Sequence, residues 1–304
     1  MVVAAGLAVV GLWASAFAAI RVAAPAFGAG GLSFVRLAVA AGTLLAIAPI
    51  CRVRRPSTRD LGWILACAFF GMTAYQVLLN LGELHVSAGT ASIIIAAAPI
   101  VSVATARRLF HERVTAFAIV GSLVAIVGVV IVCLSRGSVS LSSSVWIVVG
   151  AMVVQGIYHP LQKPLLRRYS GLEVVTYAMV AGAIMIVPFA PFDWARVVAA
   201  PASAWVSAAY LGLLPSALGF VLWAYTVGRL SVAASTSLLY LVPPMAVLVA
   251  WVWLGERPVA TELIGAVVVI VGVLVISLGS RLAASIRQRT RQPSESRASA
   301  LSLP

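Results

Sequence analysis

Four residues near the middle of the chain, Pro99, Glu112, Gly121 and Gly128, recur with identical mutual spacing near its end as Pro243, Glu256, Gly265 and Gly272. Each set sits on a pair of apolar segments, and five such segments, an odd number, separate corresponding positions. A chain that crosses a membrane with every segment must therefore carry the two copies in opposite directions, as an inverted repeat. Inverted repeats are typical of secondary transporters, in which two halves of one fold rock about a shared central site.

The membrane reading rests on composition. Apolar residues make up 62% of the 304 positions and charged residues only 10%, and the mean hydropathy is +1.09. A hydrocarbon core about 30 Å thick takes roughly 20 apolar residues as a helix. Ten such stretches lie near 3–20, 32–50, 61–81, 87–106, 115–134, 145–163, 173–192, 205–227, 232–254 and 261–279. Their length and their Leu, Ala and Val content fit helices better than the short alternating strands of an outer-membrane barrel. The expected fold is all-α and integral to the membrane, with ten transmembrane helices as two inverted five-helix repeats. The repeats occupy 1–136 and 145–280, a Ser-rich linker 137–144 joins them, and the polar, basic segment 281–304 is expected to be a disordered cytoplasmic tail.

The formal net charge of +13 is spread through the loops between apolar segments and forms no single groove, which argues against a nucleic-acid partner. Its placement reads as topology. With the N-terminus inside, the cytoplasmic loops hold Arg52, Arg54, Arg55 and Arg59, then Arg107, Arg108 and Arg113, then Lys163, Arg167 and Arg168, and Arg229. The opposite side holds only Arg21, Arg136, Arg196 and Arg257. The positive-inside rule then puts both termini in the cytoplasm of a cell bounded by this inner membrane. The tail would attract anionic lipid or simply fix topology. Ala16-Phe17-Ala18 has the form of a signal-peptide cleavage site, but no basic segment precedes it, so the first span is expected to be retained. Three cysteines, Cys51, Cys67 and Cys133, imply neither a disulfide framework nor a metal site. No cofactor is expected.

Polar residues within the spans are the candidates for function, because side chains at that depth avoid lipid. In the sixth span Gln155, Tyr158, His159 and Gln162 fall on one helical face. They read as a cavity wall that hydrogen-bonds a small-molecule substrate, or as interhelical hydrogen bonds. Trp13 and Phe17 share a line with Arg21 on the first span and could stack on a ligand or face other helices. On the third, Gln76 and Asn80, with Tyr75 adjacent, read as a vestibule or as interhelical contacts. Ser216 and Trp223 share a face of the eighth span, Trp223 and Tyr225 also fitting an interfacial aromatic belt. Tyr240 lies near the middle of the ninth. Pro99, Pro160, Pro215 and Pro243 are the candidate hinges, since each removes a backbone donor inside a span. Arg36, a few residues inside the second span, could pair with a substrate carboxylate, but lies near enough to the outer surface that snorkelling is the expectation. Gly121, Gly128, Gly265 and Gly272 read as a scaffold contact or a homodimer seam, leaving the protein a monomer or a homodimer.

The acidic residues Asp60, Glu83, Glu112, Glu173, Asp193, Glu256, Glu262 and Glu295 all fall in loops, at span ends or in the tail. Glu112 with Arg113, and Glu256 with Arg257, fit helix-start electrostatics and short-loop ion pairs. Without a buried carboxyl to load and release a proton, gradient-driven transport without obligatory proton coupling is the expectation.

From Leu211 the sequence reads LGLLPSALGFVLWAYTVGRLSVAASTSLLYLVPPMAVLVAWVWLGERPVATELIGAVVVIVGVLV. Together with Trp13-Ala14-Ser15-Ala16-Phe17, Arg36, and Gly89 through Gly128, this resembles the EamA family of the drug/metabolite transporter (DMT) superfamily over nearly all of residues 1–280. The resemblance implies a ten-helix transporter that works by alternating access and exports amino acids, aromatic ones included, or other small metabolites such as nucleosides, sugars or drugs. Within the family it is similar to the YddG-type amino acid exporters. It departs from the family at the sixth span, where Gln155 stands in place of the first residue of an aromatic-Ala-x-Tyr pattern while Tyr158 is kept. An enzyme is the rival class, but the chain carries no HExxH, G-x-S-x-G or P-loop signature. A channel is the third class, and matched helix breakers in inverted halves argue against it.

Overall fold

The computed structural model describes residues 1–110, 116–134, 143–188, 194–230, 235–236, 238–272, 274–275 and 278–279. Glu112, almost all of the linker and the whole basic tail lie outside the described residues. What is described is helical, with no strand among the described residues.

The first element, α1 (Val2–Ile47), is a 46-residue helical run. Straight, it would be about 70 Å long, more than twice a hydrocarbon core. Gly28 breaks it, with φ 73° and ψ 166°, one turn after Pro25. Only glycine takes that positive φ without strain. The sequence reading allowed a longer loop between its first two spans, whereas here the helix resumes at once after the single break.

α2 (Leu61–Cys67) continues through a π-helical stretch, Ala68–Ala74, into α3 (Tyr75–Gly82). α4 (Ala88–Ile95) and α5 (Ala98–Phe110) are separated by a short break just before Pro99. α6 (Ala116–Leu134) and α7 (Ser143–Leu161) follow, then the single turn α8 (Lys163–Leu166) and α9 (Gly171–Ile186). Ser170 opens α9 with a capping box: its hydroxyl accepts from the Glu173 backbone N–H and the Glu173 carboxylate accepts from the Ser170 N–H. After the short α10 (Trp194–Ala199) come α11 (Ala202–Leu211), a second π-helical stretch, Gly212–Leu218, and α12 (Gly219–Val227). α13 (Val242–Leu254) starts from a 3-10 turn with Pro243 in its first turn, and α14 (Ala260–Gly272) follows.

Two backbone irregularities thus occur twice. The π-helical stretches Ala68–Ala74 and Gly212–Leu218 stand at the same separation as Pro99 and Pro243. Each such proline occupies the first turn of a helix after a break, where its missing N–H costs nothing. Pro215 lies within the second π-helical stretch and Pro160 within α7.

The helices exchange contacts across the two halves of the sequence. α1 packs on α9, α11, α12 and α13, whereas α7 packs on α3, α4, α5 and the first π-helical stretch. The glycines of α6 and α14 meet each other: a Cβ on Gly128 would stand 2.7 Å from the Val269 backbone nitrogen, and one on Gly272 would stand 2.5 Å from the Ala125 nitrogen and the Gly121 carbonyl. Gly128 and Gly272 are therefore spent on a contact within the chain, which is the scaffold alternative of the two.

Candidate functional site

A cavity lies where α1, α3, α7 and α12 converge. Its walls include Trp13, Phe17, Ile20, Arg36, Tyr75, Gln155, His159 and Phe220, with the small residues Ala16, Ser92, Ala96 and Ala98 between them. The atom-free space is about 570 Å³, counting the part open to solvent.

Local backbone geometry puts these side chains in place. The Trp13 indole N–H donates to the Pro215 carbonyl at 3.1 Å. That carbonyl lies in the π-helical stretch, and the neighbouring Gly219 has no Cβ to keep the indole away. Trp13 then packs against Phe220 at 5.1 Å and Trp223 at 5.4 Å between ring centroids. His159 packs on Trp223 at 5.1 Å, and Tyr158 on Phe220 at 5.9 Å. Tyr158 in turn lies where a Cβ of Gly71, in the first π-helical stretch, would be.

His159 is oriented by Ser102, whose Oγ is 3.1 Å from Nδ1. The same hydroxyl has two carbonyl acceptors, Gly156 at 2.9 Å and Ala98 at 3.1 Å. With one proton for three possible acceptors, Ser102 fixes the ring's orientation, and the Nε2 edge is left to donate or accept according to the tautomer. Nε2 is buried and unpartnered, as are Gln155 Oε1 and Arg36 Nη1. Polar atoms buried without partners are uncommon in folded proteins; here three of them belong to residues that line one apolar cavity.

Of the residues singled out from the sequence, Trp13, Phe17, Tyr75, Gln155 and His159 line the cavity. Tyr158 and Trp223 pack behind His159, and Ser216 accepts the Arg36 Nε–H at 2.7 Å. Gln76, Asn80, Gln162 and Tyr240 lie outside the lining. Asn80 donates to Ser33 Oγ at 2.8 Å, and Gln162 accepts from the Tyr158 hydroxyl at 3.5 Å. Tyr240 belongs to a separate apolar cluster with Ile93 and Ala96. Gln76 is enclosed, with neither amide atom partnered. A vestibule does not describe Gln76 or Asn80, since both are fully buried. An interfacial belt does not describe Trp223, which is also fully buried.

Arg36 does not snorkel. It is 2% exposed and faces the cavity. The acidic residues are also less peripheral than their positions in sequence: Glu83 is fully enclosed, and Asp60, Glu173 and Glu262 are buried. Both Glu83 carboxylate oxygens lack partners, so the premise for transport without proton coupling fails at this residue. Glu256 pairs not with its neighbour Arg257 but with Arg21 at 3.4 Å, while Arg21 Nη1 donates to the Glu83 carbonyl at 2.7 Å. Arg21 thus ties α1 to the ends of α3 and α13 on one side of the cavity.

A second charged cluster ties the opposite end. Arg54 Nε donates to Glu173 at 2.8 Å, Arg168 pairs with Asp60 at 2.7 Å, and the Tyr169 hydroxyl donates to Asp60 at 2.8 Å. The Glu173 hydrogen bond holds the Arg54 guanidinium above its usual pKa. Both arginines are well exposed, so each pair contributes little to stability. The cavity is bracketed by polar ties that can break without unfolding a core. Sequence inspection missed Ser102, Phe220 and the Arg21 ties.

Comparison with known proteins places this geometry among transporters. The EamA-like transporter family matches residues 1–134 and 142–278. A protein of Streptantibioticus cattleyicolor described as a probable terminal-alkyne amino-acid exporter is 51% identical over 276 residues, covering 90% of this chain and 93% of that protein. The uncharacterized transporter YdfC of Bacillus subtilis is 32% identical, covering 87% of each chain. A protein known from a crystal structure superposes with a TM-score of 0.65 at 17% identity, over 92% of this chain and 98% of that one, a likeness of fold alone.

Proposed function

The chain belongs to the EamA-like transporter family, and on that premise we propose that it exports small amino acids across the inner membrane by alternating access. It is an integral membrane transporter and not an enzyme. The observation that carries the amino-acid reading is the cavity: aromatic and alanine walls with Arg36, Gln155 and His159 among them, each carrying a buried, unpartnered polar atom. A few placed polar groups on an apolar wall are what a small-molecule site requires. The relative in S. cattleyicolor, described as a probable exporter of amino acids with a terminal alkyne, supports the same class and points to slim apolar side chains. The contacts proposed for substrate are Trp13, Phe17, Tyr75, Gln155 and His159. Gln76, Asn80, Tyr158, Gln162, Ser216, Trp223 and Tyr240 form the supporting shell, and Pro99, Pro160, Pro215 and Pro243 the hinges.

Ten spans in two inverted halves, 1–136 and 145–280, with cytoplasmic termini complete the proposal. Among the described residues five helices are long and apolar enough to cross a membrane; the first is broken at Gly28, and four shorter apolar helices accompany them. The contacts of Gly128 with Gly265 and of Gly272 with Gly121 have the order of an antiparallel pair, which supports inversion. Reporter fusions at Ser57 and Ser140 are expected to report opposite sides of the membrane; the same side would refute it. In this topology the tail 281–304 meets anionic lipid of the inner leaflet.

The functional test is uptake into liposomes holding the purified protein. Labelled amino acids with short apolar or aromatic side chains are expected to enter saturably and to compete with one another. Saturable uptake confined to nucleosides or sugars would move the assignment to another metabolite class, and flux linear in concentration would indicate a channel.

A further inference from the structure

We propose that Arg36 is the anchor for the substrate's carboxylate and sets the requirement that a transported molecule carry one, an inference that rests on the amino-acid reading above. Arg36 reaches the cavity from α1, on the far side of the Gly28 break from Trp13 and Phe17. Its guanidinium is always charged, and it is 2% exposed. Among the described residues no carboxylate lies within salt-bridge range of it. A buried cation without a paired anion is costly to maintain, and intramembrane charges are kept where a ligand or pathway needs them.

The fixation of Arg36 suits that role. Its Nε–H donates to Ser216 Oγ at 2.7 Å, which sets the plane of the guanidinium. Nη1 is buried and unpartnered, and a guanidinium that keeps an unused donor is suited to take a planar carboxylate. Ser216 lies in the second π-helical stretch, next to the Pro215 carbonyl that holds Trp13. One irregular turn thus positions both the cation and the aromatic wall.

Charge balance selects the ligand. Among the described residues Arg36 is the only cationic side chain in the lining, which suits a single carboxylate better than a phosphate dianion. Two other lining residues carry unpartnered polar atoms, Gln155 Oε1 and His159 Nε2, and the amide oxygen, an acceptor, suits an ammonium group. The apolar remainder, Trp13, Phe17 and Phe220, is left for the side chain.

The test uses the full-length protein in liposomes with two probes, L-propargylglycine and its primary carboxamide. They share ammonium and side chain and differ in the carboxylate. The wild-type protein is expected to favour the acid by about a hundredfold in transport efficiency, as when a buried charge pair is lost. Arg36→Gln is expected to lower transport of the acid by about thirtyfold or more, mainly through a higher half-saturation concentration, and to reduce the preference for acid over amide to within about threefold. Arg36→Lys, which keeps the charge but not the fork, should recover part of the loss. Equal handling of acid and amide by the wild-type protein would overturn the proposal and needs no variant to fold. An Arg36→Gln protein that elutes as the wild type and carries the acid with unchanged half-saturation would overturn it too, while leaving the amino-acid reading intact. If the wild-type protein moves neither probe nor any other amino acid, both readings fail.

Discussion

Replacing Gly272 with leucine is expected to cut the yield of folded protein by about tenfold or more, and Gly128→Leu should do the same. In lipid, helices gain little from hiding apolar surface against each other, so close backbone packing carries their association. α6 and α14 use it fully. A Cβ on Gly272 would meet the backbone nitrogen of Ala125 and the carbonyl of Gly121 at 2.5 Å, and one on Gly128 would meet the Gly265 carbonyl at 2.8 Å. These neighbours are backbone atoms and cannot rotate aside, so even alanine forces the helices apart. Gly42→Leu is the control, because a Cβ there meets nothing within 4 Å. The check is the amount of monodisperse protein recovered in detergent and its thermal midpoint. Wild-type yield from Gly272→Leu would show that the helix pair is not tied here.

The second large effect concerns the cavity wall. Gln155→Ala and His159→Ala are each expected to lower transport efficiency for amino acids by about tenfold or more, since a hydrogen bond worth about 1.4 kcal/mol to the ligand corresponds to a factor of ten. The stability of Gln155→Ala should change little or improve, because Gln155 Oε1 has no partner to lose in the protein, whereas His159→Ala also gives up the Ser102 contact and the packing on Trp223 and should lose some stability. At Gln155 that combination separates a ligand contact from a structural one: a residue that only tied helices together would lose stability first. Tyr158→Ala should lose both, since its ring packs against Phe220 and His159 and fills the space above Gly71. Unchanged kinetics in well-folded Gln155→Ala and His159→Ala would place the substrate elsewhere.

The sequence carried some of this in legible form. Hydropathy follows the chain in one dimension, so the apolar segments could be located, and the Pro99 and Pro243 positions do begin helices after breaks. The polar stripe of the sixth span also reaches the cavity through Gln155 and His159. What pattern could not supply was rotation about the helix axis in a nearly uniform apolar surround. Arg36 is close enough to a span end to snorkel by distance alone, and only its packing against Ser216 turns it inward. Glu83 follows directly on α3 and looks peripheral in sequence, yet the chain folds over it. The π-helical stretches carry no motif, although they set the positions of Trp13, Ser216 and Tyr158.

The central claim is a carrier whose one site faces each side in turn. The polar ties at either end of the cavity, Arg21 with Glu256 and Arg54 with Glu173, are suited to open alternately. Counterflow tests this most directly: liposomes loaded with unlabelled L-propargylglycine are diluted into a trace of the labelled compound, and internal label is followed over time. The account predicts a transient rise of internal label well above equilibrium, absent from protein-free liposomes and strongly reduced in Gln155→Ala. Label that climbs monotonically to equilibrium, whatever the internal load, would contradict alternating access and indicate an open pore.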